Sequence, residues 1–80
     1  MMGDVEKIVL LCRSMGLECC FTDDECGVGE TREDACEWHL ATKHGPDSDV
    51  LTWLVERARR ITSDASAVAI ALSRVDAANA

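Results

Sequence analysis

The strongest periodicity lies in the second half of the chain. Leu51, Leu54, Ala58, Ile61, Ala65, Val68, Leu72 and Val75 recur in alternating steps of three and four. Apolar positions so spaced line one stripe of a helix, and a repeat held for about three and a half heptads is the pattern of a coiled-coil seam. It predicts one helix over 48–78, capped at its start by Asp47 or Asp49. Thr62, Ser63 and Asp64 are weak helix formers. A helix hairpin broken at Thr62–Ser63, with its apolar face packed on the rest of the domain, is the alternative.

The first half alternates less cleanly. Residues 5–12, VEKIVLLC, support two readings. The β-branched run favours a strand, whereas apolar spacing after Asp4 permits a helix ending at Gly16. The expectation taken here is a strand running into a turn. Phe21–Thr22 would add a short second strand, and Asp23, Asp24, Gly27 and Gly29 mark a loop. Thr31 then opens a helix: T-R-E-D is a capping-box pattern, and Glu33, Asp34 and Glu37 suit the positive end of the dipole. Lys43 and His44 suit its other end, Gly45 can stop it, and Pro46 prevents it from resuming.

The expected fold is therefore α+β. A short β-hairpin or zinc knuckle and a ligand-bearing helix, zinc-finger-like in its ββα order, occupy residues 1–46. The long C-terminal helix, a possible dimerisation seam, occupies 47–80. Eighty residues build one compact domain, and a core that small is marginal without a cross-link, a metal or a partner chain.

Charge narrows the function. The formal net charge is -7, a field that repels phosphate and disfavours general nucleic-acid binding. Arg57, Arg59 and Arg60 form the one basic cluster, read as a solvated helix face. The start, MMGDVEKIVLLC, is acidic with a short apolar run, unlike a secretory signal. No stretch approaches the ~20 apolar residues of a membrane span. A cytoplasmic location is expected, and there clustered thiols do metal or redox work more often than structural disulfide work. The five cysteines are also an odd number, leaving at least one unpaired in any disulfide framework.

Cys12, Cys19, His39 and His44 form the constellation with chemistry in it. Six residues separate the cysteines, nineteen lie between Cys19 and His39, and four separate the histidines. Two thiolates and two imidazoles satisfy tetrahedral zinc, and His-x4-His lies in the usual range. The cysteine spacing exceeds that of common fingers, and Gly16 at its centre can supply the wider turn. On an ideal helix the two histidines are about 140° and 7.5 Å apart, so the last turn must change pitch for both to reach one ion.

The segments C-R-S-M-G-L-E-C-C-F, G-E-T-R-E-D-A and W-H-L-A-T-K-H-G carry a resemblance. Together they resemble the family of predicted small metal-binding proteins of unknown function. Its members show Cys-x3-Gly-x2-Cys, an aromatic soon after, a Thr-started helix, and His-x4-His-Gly. The resemblance covers residues 7–61, most of the chain. It implies one bound metal ion, taken as zinc, with Cys12, Cys19, His39 and His44 as ligands, and it implies no known reaction. Ser14 stands where members often have Asp, Cys26 lies in a loop unlike theirs, and residues 62–80 extend past their usual end.

The remaining residues have plainer expectations. Cys20 is a core or surface thiol and the substitute ligand if Cys19 points away; Cys26 should be exposed, with a Cys20–Cys26 disulfide as an oxidised form. Cys36, three residues before His39, should be a packed thiol sharing its helix face, and Trp38 and Trp53 should be core anchors. The function expected first is a structural zinc-binding module for protein–protein interaction, its partner another protein or a second copy through the C-terminal helix. The alternatives are a nucleic-acid-binding zinc finger, disfavoured by the acidic helix, and a thiol-based metal- or redox-responsive protein. With no nucleophile–base spacing, phosphate loop or paired carboxylates, an enzyme is not expected.

Overall fold

The ambiguous run at the start is a helix. The computed structural model describes residues 2–61 and 66–78, and in it Asp4–Ser14 form α1. Ile8, Leu11 and Cys12 are buried together. A strand's alternation would divide those three between two faces, so the helical period wins over β propensity and corrects the strand expected at 5–12. Asp4 and Glu6 lie in the first turn and Arg13 in the last, each at the end of the dipole that favours it. The helix ends in a Schellman reversal. Gly16 has φ 71°, Leu17 N–H donates to the Cys12 carbonyl at 2.8 Å, and Gly16 N–H donates to the Arg13 carbonyl at 3.4 Å.

Three strands follow in an antiparallel sheet of order β1-β2-β3: β1 Glu18–Phe21, β2 Glu25–Gly29 and β3 Lys43–Pro46. Between the last two lie α2, Arg32–Cys36, and a short 3-10 turn at Trp38–Leu40. The chain closes with α3, Asp47–Ile61, and α4, Ala67–Ala78. The α+β class holds.

The expected loop after Phe21 is the central strand. Cys26 and Val28 are fully buried on one face of β2, against α1 and α3, while Gly27 and Gly29 lie under α2 on the other. A Cβ at Gly27 would collide with the Ala35 carbonyl oxygen, and one at Gly29 would lie 2.9 Å from Ala35 N and Asp34 Cβ. The two glycines are therefore the flat floor on which a helix rests, not loop punctuation.

The helix expected from Thr31 to His44 keeps only its beginning. The Thr31 hydroxyl accepts from Asp34 N–H at 3.1 Å, but α2 stops at Cys36. The competing element is β3, which takes the open edge of β2: Thr42 N–H donates to the Val28 carbonyl at 2.8 Å, and the pairing continues through Gly27↔His44 and Cys26↔Gly45. Pro46 ends that edge strand, where a missing N–H is tolerated.

The C-terminal pattern folds back on itself. Arg59 Nη2 lies 3.4 Å from Asp76 Oδ1, whereas in one straight helix these residues would be about 25 Å apart along the axis. The single helix over 48–78 is thus corrected to a hairpin; the break expected at Thr62–Ser63 and the seam position Ala65 lie outside the described residues. Leu54, Ala58, Val68, Leu72 and Val75 of the seam are buried in the core with Ile8, Leu11, Cys12, Cys26, Val28 and Val50. The expected homodimer seam is therefore consumed within the chain, and only Ile61 of its described members is exposed. Trp53 packs half-buried on this core, with the Arg57 guanidinium 5.4 Å from its ring centroid. Trp38 is no core anchor: it is 71% exposed and stacks on His44, ring centroids 4.7 Å apart.

Candidate functional site

The sheet divides the four expected metal ligands. Cys19 pairs with Val28 and His44 with Gly27, neighbouring positions of the same central strand. Side chains at such positions leave the sheet on opposite faces. Cys12 joins Cys19 on the α1 side, and His44 lies across the sheet against Trp38. His39 is exposed on the 3-10 turn. Among the described residues no group of three or more His, Cys, Asp or Glu side chains is placed to hold a metal ion. The residues present do not fit the tetrahedral zinc site that their spacing and the resemblance imply.

What the fold does bring together is Cys12 and Cys19. The Schellman turn at Gly16 reverses the chain over the end of α1, so β1 returns along the helix it has just left. The Cys12 and Cys19 thiols are then neighbours, and each perturbs the other's titration. Cys12 is 1% exposed. Its thiol is pushed well above the ordinary range, first by burial and then by the neighbouring Cys19 and Cys26 sulfurs. Cys19 is half-buried, and its pKa is raised first by burial. The neighbouring Cys12 thiol and the charges of Arg32 and Arg13 oppose that rise, while Glu18 adds to it.

Cys12 and Cys19 line a cleft of about 260 Å³, whose walls include Arg13, Glu18, Phe21 and Arg32. Neither guanidinium is ion-paired to a carboxylate among the described residues. The pair thus has an inner sulfur without ready solvent contact and an outer sulfur at an opening, with two arginines beside the outer one that limit but do not cancel the rise of its pKa on burial.

The other three cysteines separate by face. Cys20 shares the α2 side of the sheet with Gly27, and the exposed Cys36 at the end of α2 is its neighbour there. That contact is the largest cause raising the Cys36 pKa. Cys26 is buried rather than exposed, because its segment is a central strand; burial first, then Cys19 and Asp47, push its thiol up to about 12. Cys20 and Cys26 stand on adjacent registers and opposite faces, which removes the disulfide expected between them.

Comparison with protein-family models, with curated proteins and with solved structures finds no match to this chain. The sequence grouped Cys12 and Cys19 with His39 and His44, and the fold brings only the two cysteines side by side. Arg13 was legible as the neighbour of Cys12. Arg32 was not: the β1–β2 register sets Glu18 opposite Gly29, three residues before Arg32, and so brings it to the cleft.

Proposed function

We propose that this chain is a small thiol-based redox-responsive protein whose reacting pair is Cys12 and Cys19. The observation that supports it most is that those two thiols stand side by side in the lining of one cleft. Oxidation would join the sulfurs, releasing two protons and passing two electrons to an acceptor disulfide. The bond would tie the end of α1 to β1, across the turn that Gly16 makes. Cys19 is the attacking sulfur because it is the more accessible one, and Cys12 is the resolving sulfur because it is already beside it. The role is responsive rather than enzymatic, and the change in the α1–β1 corner is what a partner protein would sense.

The test is oxidation of the native, fully reduced chain in a disulfide redox buffer, followed by peptide mapping. A reversible Cys12–Cys19 linkage is expected, absent from both Cys12→Ser and Cys19→Ser. The proposal fails if the native protein forms no such linkage while its exposed thiols react. The zinc-finger-like reading keeps one support, the β1-β2-α2 order, and has the division of its ligands by the sheet against it. Elemental analysis of the purified chain separates the two: zinc bound one to one and lost in His44→Ala would favour the finger.

A further inference from the structure

The cleft beside Cys19 carries more information than the thiol pair alone. Its rim has two guanidinium groups, Arg13 from the last turn of α1 and Arg32 from the first residue of α2, against one carboxylate, Glu18. This local excess of positive charge stands on a chain whose formal net charge is -7. The chain's overall field repels an anion, and here the anion meets two fork-shaped donors suited to carboxylate, neither ion-paired among the described residues. Phe21 supplies an apolar wall. The volume of about 260 Å³ is below the roughly 300 Å³ at which drug-sized sites begin. It suits one half of a small molecule rather than a protein segment.

Resting on the dithiol reading above, we infer that the oxidant of this site is a small disulfide bearing carboxylates, oriented by Arg13 and Arg32 with one sulfur facing Cys19. The Cys19 sulfur, having given up its proton, attacks that sulfur. The disulfide breaks, and the departing half leaves as a thiolate and takes up a proton. Cys12 then loses its proton and attacks the Cys19 sulfur of the mixed disulfide, and the second half departs as a thiol. One protein dithiol and one small disulfide become one protein disulfide and two small thiols. Arg13 and Arg32 bind the carboxylates through both steps and hold the sulfurs in line.

The experiment compares two aromatic probes on the full-length reduced chain carrying Cys20→Ser and Cys36→Ser, which silence the accessible pair on the other face. One probe is the dianionic 5,5′-dithiobis(2-nitrobenzoate); the other is the uncharged 4,4′-dithiodipyridine. Oxidation rates are followed by the released thiol's absorbance at low and high salt. In the background chain the dianion should react faster relative to the neutral probe, and salt should reduce that preference. Arg13→Gln with Arg32→Gln should slow both probes by raising the Cys19 pKa, and should slow the dianion about tenfold more than the neutral probe, the low end of the usual range for electrostatic steering. Arg13→Lys with Arg32→Lys should restore part of the loss. An unchanged preference in the Gln variant, with the Cys12–Cys19 bond still forming, overturns the inference and leaves the dithiol reading intact. Failure of either probe to produce that bond overturns both.

Discussion

Replacing Gly27 with Ala tests the packing that sets the whole sheet. Its Cβ would overlap the Ala35 carbonyl oxygen and lie 3.1 Å from the Ala35 carbonyl carbon and 3.4 Å from His44 Cδ2. The obstructing atoms are backbone, so no rotamer change relieves them, and α2 must withdraw by about an ångström to reach ordinary contact. Overpacking of this kind costs about 1–3 kcal/mol, and the upper end applies where the neighbour cannot turn aside. The Ala side chain returns about 0.4–1 kcal/mol by restricting the unfolded chain. The net loss is therefore about 2 kcal/mol, or roughly 8–16 °C in Tm for a domain of this size. Urea and thermal unfolding followed by circular dichroism measure it. Two comparisons check the cause. Gly16→Ala meets nothing within 4 Å but must hold φ 71°, so it should lose about 1–2 kcal/mol from backbone strain alone, partly recovered by Asn. Adding Ala35→Gly to Gly27→Ala should give no rescue, since the colliding oxygen remains. A Gly27→Ala protein within 0.5 kcal/mol of the parent would refute the reasoning.

The other predictions follow from the same geometry. The Cys12–Cys19 disulfide closes a loop of eight residues, which should raise stability by about 2.5 kcal/mol at 25 °C; a lower Tm after oxidation would show that the corner resists closure. Leu54→Ala removes a fully buried side chain where α1, α3 and α4 meet, with an expected loss of about 2–5 kcal/mol in urea unfolding. Arg59→Ala breaks only an exposed ion pair, so it should change stability by less than about 1 kcal/mol. The buried Cys26 keeps its proton in the folded state up to about 12, against 9.0 for an ordinary thiol. The folded chain then binds more protons than the unfolded one above pH 9, so the contribution is complete below that value and is lost as pH rises toward 12. Cys26→Ala should flatten that alkaline slope, and an identical slope in both proteins would remove Cys26 as its source.

Local chemistry was enough to place several features from the residues alone. Thr31 reads as a helix cap, Gly16 as a chain reversal, and Asp47 as the start of a helix, because each depends on atoms within about one turn of chain. The apolar stripe from Leu51 to Val75 likewise names the core residues of α3 and α4. Which surface that stripe meets is not a local property. A heptad seam looks the same whether a second copy covers it or the chain folds back over it, and here the chain folds back. The 5–12 run, read as a strand, is a helix, and the segment 23–29, read as a loop, holds the central strand, because a short stretch satisfies more than one element until a neighbour selects one.

The site shows the same boundary. The C-x3-G-x2-C spacing is enough to bring Cys19 back to Cys12, since one glycine and one helix end accomplish it. Whether the histidines join them depends on the sheet. Pairing His44 opposite Gly27 places it on the face that Cys19 does not share. Strand register has a period of two, so one position decides the face, and only the packing of α1 and α2 on either side of β2 selects the register.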